Sequence, residues 1–223
     1  MSDANLLRTL KGMNPWWDGG SVPKGLTKSY RREAFRDLLR YAGSGRVVLL
    51  TGARRVGKTV LMHQAILELI DTGTDPRSIL YTALDHPNLE GVTLEELVGE
   101  FRSSVRPPGG IHVLLDEIQH VPQWSRWLKA LHDREEDVQF IVSGSSATAI
   151  HEGSAPLLGR SAALTLPPFT FRDFVRYRGV DLGALDGIEG KDLRARVEHL
   201  SELDRLSLES RVRPLLQEYL VRG

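Results

Sequence analysis

Cysteine is absent from the 223 residues. That excludes disulfides, thiol nucleophiles, iron–sulfur clusters and cysteine zinc sites. Net charge is absent too: 29 Lys and Arg balance 29 Asp and Glu, and the pI is about 7.1. Overall charge therefore gives no support to nucleic-acid binding, though a local basic patch is not excluded. No apolar run approaches the ~20 residues of a membrane helix, and Met1–Leu10 lacks the apolar stretch of a secretory leader. No membrane role is expected, and a reducing, cytoplasmic setting fits. Lysine is scarce, 6 against 23 arginines, which reads as genomic composition.

The hydrophobic share of 41% is ample for a packed core. At ~150 residues per domain the length allows one large domain or two small ones. Charge is uneven along the chain. Residues 1–45 carry 8 basic and 4 acidic side chains, 46–170 carry 11 and 15, and 171–223 carry 10 and 10. The basic start reads as a solvated surface or an arm docked on the acidic middle; contact with a polyanion is the alternative.

Residues 1–27 are rich in Gly, Pro and Asn and read as an irregular arm. Trp16 and Trp17 within it need burial, most simply against the main domain. The spacing of Tyr30, Ala34, Phe35, Leu38 and Leu39 predicts an amphipathic helix over Lys28–Tyr41. Strands and helices then alternate. Arg46–Thr51, Ile79–Leu84, Ile111–Leu115, Val138–Val142 and Ser161–Leu166 read as strands. Helices are expected over Lys58–Asp71, from the capping box at Thr93 to about Val105, and from Pro122 to about Arg134. Phe171–Tyr177 reads as a short helix and 191–222 as largely helical. This alternation implies a parallel sheet with helices on both faces, an α/β fold.

The strongest chemical signal is Gly52-Ala53-Arg54-Arg55-Val56-Gly57-Lys58-Thr59, which fits G-x-x-x-x-G-K-[ST] between a strand and a helix. A chance match in a chain of this composition is a roughly half-percent event. The glycines let the backbone curl around phosphate oxygens, and the helix start adds its positive dipole end. Lys58 would reach the β- and γ-phosphates of ATP, and the Thr59 hydroxyl would ligate Mg²⁺. The candidate nucleotide-binding residues are those eight and Val60.

Ile111–Glu117 is a hydrophobic strand ending in two carboxylates. Asp116 is the candidate Mg²⁺ holder and Glu117 the candidate base for an attacking water. A polar strand end capping the next helix is the alternative. The strand Val138–Val142 runs into Ser143-Gly144-Ser145-Ser146. A small polar group there can bond the γ-phosphate or the water; Ser145 is the first choice and Ser143 the second, against a plain helix cap. Arg160, before the last strand, is a candidate for stabilising charge during phosphoryl transfer, in its own subunit or a neighbour's, against an ordinary surface ion pair.

Taken together, Thr51–Thr59 (TGARRVGKT), Leu115–Trp124 (LDEIQHVPQW), Phe140–Ser146 (FIVSGSS), Leu158–Arg160 (LGR) and Leu166–Phe174 (LPPFTFRDF) resemble the AAA-type ATP-binding proteins of bacteria and archaea that carry a C-terminal domain of unknown function. The resemblance covers about residues 30–175. It implies a P-loop, three-layer core with a five-stranded parallel sheet in the order 5-1-4-3-2. It implies that Lys58 and Thr59 bind nucleotide and Mg²⁺, that Asp116 and Glu117 form the Walker B pair, that Ser145 is the sensor, and that Arg160 is a candidate arginine finger. Gln119 and Trp124 match the family's pattern without an assigned role. The organisation expected is an arm over 1–29, an ATPase core over 30–178 and a helical segment over 179–223. Such proteins usually continue past a helix like Leu215–Leu220, so this chain is expected to be an N-terminal piece, with a protein partner bound through the part that follows.

The implied function is ATP binding and hydrolysis to ADP and phosphate, coupled to conformational change in a larger assembly, possible homo-oligomers included. The alternative is a nucleotide-gated module with little turnover, DNA-linked or not. A kinase is disfavoured, because Glu117 argues for water as acceptor. A helicase is disfavoured by the length and by the neutral charge.

Overall fold

A computed structural model describes residues 3–135, 137–145, 154–180 and 202–222. The chain divides at Pro167/Pro168 into two compact units. Among the described residues no helix is long and apolar enough to cross a membrane.

The first unit is built on five parallel strands: β1 Val47–Thr51, β2 Ile79–Ala83, β3 Ile111–Asp116, β4 Val138–Gly144 and β5 Ser161–Thr165. Their order is β2-β3-β4-β1-β5, the expected 5-1-4-3-2 read from the other edge. β1 is buried at all five positions, as a parallel sheet covered on both faces requires. Alternate residues point to opposite faces, and the core divides accordingly. On one face Val47, Leu49, Val113, Leu115, Phe140 and Val142 pack with helices α1 (Asp3–Met13), α5 (Leu94–Val105) and α6 (Trp124–Arg134). On the other, Val48, Leu50, Ile79, Leu114 and Ile141 pack with Trp16 of the short α2 (Trp16–Gly19) and with α3 (Ala34–Ala42) and α4 (Lys58–Asp71). Each fully buried Leu, Ile or Val contributes about 1.5–3 kcal/mol. Helix α5 opens on the predicted capping box: the Thr93 hydroxyl accepts from the Glu96 N–H, and the Glu96 carboxylate accepts from the Thr93 N–H.

Two expectations fail locally. Residues 3–13, read as irregular, form α1, and Leu6 and Leu10 of that helix enter the core. The helix predicted from Lys28 starts only at Ala34. Lys28 and Tyr30 stay outside it, and both of their carbonyls accept from Gln64 Nε2 of α4, at 2.6 and 2.8 Å.

The second unit contains α7 (Phe171–Tyr177) and α8 (Glu202–Arg222). A second capping box, Thr170 with Asp173, starts α7. Phe171 and Phe174 pack on Tyr219, with ring centroids 5.4 and 5.6 Å apart, and the Tyr219 hydroxyl donates to the Phe169 carbonyl at 2.9 Å. Residues 191–201 of the expected helical stretch, and Ser146, lie outside the described residues.

Candidate functional site

The site forms where β1, β3 and β4 end on the same edge of the sheet. β1 leads into the glycine loop 52–57, and that loop into α4. Gly52 is obligatory on steric grounds: its φ is +153°, and a Cβ there would sit 2.5 Å from the Leu166 carbonyl oxygen. Gly57 has φ +100° and caps α4 in the left-handed region, where a Cβ is disfavoured. The helical ladder starts with the Leu61 N–H on the Gly57 carbonyl, 2.9 Å. The N–H groups of the first turn therefore lack intrahelical partners and carry the positive end of the helix dipole.

Lys58 is only 5% exposed. Its ammonium donates to the Gly52 carbonyl at 2.9 Å and the Ala53 carbonyl at 3.0 Å. Two of its three donors thus fix it inside the loop, and the third remains for an anion. Ala53, Arg54 and Arg55 are exposed along the loop, Arg55 at φ 65°, and Val56, Gly57 and Val60 are half-buried. Arg32 clamps the loop from outside, donating to the Val56 carbonyl at 3.2 Å and to the Pro167 carbonyl at 2.8 Å.

Asp116 ends β3 beside this loop and is 3% exposed. The Thr59 hydroxyl donates to its Oδ2 at 2.6 Å. The two residues that the sequence pairs over 57 positions thus touch directly. A hydroxyl and a carboxylate are hard oxygen donors, the set that suits Mg²⁺ when phosphate and water oxygens complete the shell. The donors present fit that ion.

Glu117 follows with φ 55° and ψ 50°. A left-handed glutamate is uncommon and costs of order 1–2 kcal/mol. It turns the chain sharply after the strand, and the Glu117 N–H bonds the Asp116 carboxylate at 3.1 Å and the Ser143 hydroxyl at 3.3 Å. The two carboxylates therefore separate, Asp116 buried beside the Thr59 hydroxyl and Glu117 half-buried beyond it.

The serine expectation divides in two. β4 runs on through Gly144, so Ser143 is a strand residue, fully buried, with its hydroxyl donating to Asp116 Oδ1. Ser145, the first choice, lies one position past the strand and accepts from Gln119 Nε2 at 3.1 Å. The same amide nitrogen donates to Glu117 Oε2. Gln119 thus ties Glu117 to Ser145, a link that sequence reading left without a role.

Arg160 is not brought to this site. β5 is in register with β1 from Val47↔Ser161 to Thr51↔Thr165, so Arg160 stands at the start of the sheet and the glycine loop at its end. The intervening strand spans roughly 13 Å at ~3.3 Å per residue. Its guanidinium Nε bonds Asp133 at 2.7 Å, an exposed ion pair that holds the Asp133 carboxyl below its usual range. A role for Arg160 within its own subunit does not fit this placement.

Two further residues reach the site without a motif to announce them. The Tyr81 hydroxyl of β2 donates to Asp116 Oδ2 at 3.0 Å. His63 of α4 pairs through Nδ1 with the Thr59 carbonyl at 2.9 Å. Burial lowers the His63 pKa, against the raising effects of that bond and of Asp116.

Residues 44–175 match a protein-family model described as an AAA domain. An uncharacterized protein of Haemophilus influenzae is 27% identical over 156 residues, 68% of this chain and 38% of its own length. An uncharacterized protein of Methanocaldococcus jannaschii is 23% identical over 137 residues, 61% of this chain and 30% of its own. The chain therefore spans about a third of the length of the curated relatives it matches. Among solved structures, Caenorhabditis elegans PCH-2 is similar at 11% identity and TM-score 0.47, over 86% of this chain and 69% of that one. The Pif1 helicase of Candida albicans is similar at 17% identity and TM-score 0.44, over 77% and 48%.

Proposed function

The chain belongs to the AAA-domain family, and on that premise we propose that it binds ATP with Mg²⁺ and hydrolyses it to ADP and phosphate. The observation that carries this reading is the 2.6 Å contact between Thr59 and Asp116 at the mouth of a loop that already holds Lys58 inside it. Phosphate would lie on the N–H groups at the start of α4, with Lys58 countering the β- and γ-phosphate charge. Thr59 and Asp116 would hold Mg²⁺, which when bound neutralises charge on the leaving phosphates. Glu117 takes a proton from water as the water oxygen bonds the γ-phosphorus and the bond to the ADP oxygen breaks. Ser145 and Gln119 set where that carboxylate lies. Arg160 acts, in this reading, only on the site of a neighbouring copy. The cycle is coupled to conformational change in a larger cytoplasmic assembly.

A second reading, a switch with slow turnover, is favoured by the Gln119 bond on Glu117, which occupies the Oε2 that would otherwise face water. The test separates them. Phosphate release is measured for the wild type and for Glu117→Gln, with ATP affinity measured in parallel. Hydrolysis predicts intact ATP binding in the variant and turnover lower by roughly 10²-fold or more. Equal turnover in both proteins removes Glu117 as the base. Tight ATP binding with negligible wild-type turnover favours the switch.

A further inference from the structure

Asp116 is held more tightly than its motif explains. Its carboxylate accepts from the hydroxyls of Thr59, Ser143 and Tyr81 and from the Glu117 N–H. Three of these donors lie on the phosphate helix or on the ends of β3 and β4, where a phosphate-binding fold puts its chemistry. Tyr81 does not: it belongs to β2, at the edge of the sheet.

The Tyr81 ring is itself fixed from two sides. His63 lies 4.6 Å away at 44°, and Trp16 meets it edge-on at 6.5 Å and 69°. Trp16 also meets His63 edge-on at 6.2 Å. A closed circuit results: Thr59 to His63 through a backbone carbonyl, His63 to Tyr81 by ring contact, Tyr81 to Asp116 by its hydroxyl, and Asp116 back to Thr59. Trp16 closes the outer side of this circuit. It is fully buried, and its Nε1–H is anchored on the Ile79 carbonyl at 3.1 Å.

We propose that Tyr81 is a positioning residue for Asp116, and that Trp16 holds Tyr81 in place, so the segment before the AAA-domain match forms part of the metal site. The proposal rests on the Mg²⁺–ATP reading above. Its physical basis is orientation. Thr59 and Tyr81 both donate to Oδ2, and together they fix the plane of a carboxylate that must present a lone pair in one direction. Partners one shell out from a metal typically alter affinity by about 10-fold or more when removed.

The test uses Tyr81→Phe, which deletes one hydroxyl and keeps the ring. ATP affinity is measured by calorimetry over a Mg²⁺ titration and again in EDTA. The expected result is an approximately 10-fold rise in the Mg²⁺ concentration needed for tight ATP binding, with affinity in EDTA unchanged. The protein is also labelled with 5-fluorotryptophan, and the Trp16 resonance is assigned with Trp16→Phe. Mg²⁺ added to the ATP-loaded wild type should shift that resonance, and Tyr81→Phe should abolish the shift. An unchanged Mg²⁺ dependence in Tyr81→Phe, alongside a clear loss in Asp116→Asn, overturns the positioning role and leaves the ATP reading standing. A wild type whose ATP binding ignores Mg²⁺ overturns the reading itself. A Trp16 resonance that is indifferent to Mg²⁺ in the wild type overturns the part assigned to the N-terminal segment.

Discussion

Asn14 lies between α1 and α2, is 1% exposed and is bonded to β2 at both ends of its amide. Its Nδ2 donates to the Leu10 carbonyl at 2.7 Å and the Tyr81 carbonyl at 2.8 Å, and its Oδ1 accepts from the Tyr81 N–H at 2.6 Å. β2 is an edge strand, and this amide stands in for the missing neighbour at Tyr81. Asn14→Ala removes that substitute and leaves one N–H and one carbonyl of Tyr81 without it. At about 1–3 kcal/mol for each unsatisfied buried group, the variant should lose about 2–6 kcal/mol of unfolding free energy. Urea unfolding followed by far-ultraviolet circular dichroism measures this. Asn14→Asp is the sharper control. It keeps an acceptor for the N–H but sets a carboxylate against two carbonyls, so it should be no better than alanine at pH 7 and should recover in part near pH 4, as the acid protonates. A loss below about 1 kcal/mol in Asn14→Ala would refute the reasoning, since water would then be serving Tyr81 equally well.

Three other outcomes are expected. Lys58→Ala should abolish tight ATP–Mg²⁺ binding in a calorimetric titration with the fold retained by circular dichroism, and retained affinity would remove the phosphate-loop reading. Arg160→Ala should bind ATP normally, and if the arginine completes a neighbour's site its turnover should fall by ~10³-fold and partly recover on mixing with Glu117→Gln; unchanged turnover across a wide protein concentration range reduces Arg160 to its ion pair with Asp133. His112 on β3 is held below its ordinary 6.5 by burial. Its neutral form is therefore favoured by folding: its contribution is complete above about pH 6.5 and is lost as pH falls from there toward the folded-state pKa. The melting temperature should drop in that window, and His112→Gln should flatten the slope.

Much of this was legible in the residues. Five apolar runs marked the five strands, and the turn chemistry at Gly52 and Gly57 marked the loop between β1 and α4. What stayed hidden was tertiary. Tyr81 and His63 look like ordinary interior residues of a strand and a helix, and only the packing of β2 against α4 brings them to Asp116 and Thr59. A strand ending at Val142 does not show where Ser143 points; two more strand residues place it on Asp116. The helix over 3–13 was missed because Gly12, Asn14 and Pro15 crowd its end and outweighed the Leu6–Leu10 spacing. The end of the sheet at which Arg160 stands is equally hidden: adjacency to a strand says nothing about it until the register is known, and the register leaves only the neighbour's site of the two roles considered.

The Gly52 contact has a kinetic meaning. Leu166 donates its N–H to the Thr51 carbonyl at 2.7 Å and its own carbonyl fills the space a Cβ at residue 52 would need, while Arg32 and Lys58 grip the loop from outside and within. A loop gripped in this way has little conformational freedom left to surrender when an anion arrives. Association should therefore be limited by encounter rather than by loop ordering, and the entropy lost on phosphate binding should be small.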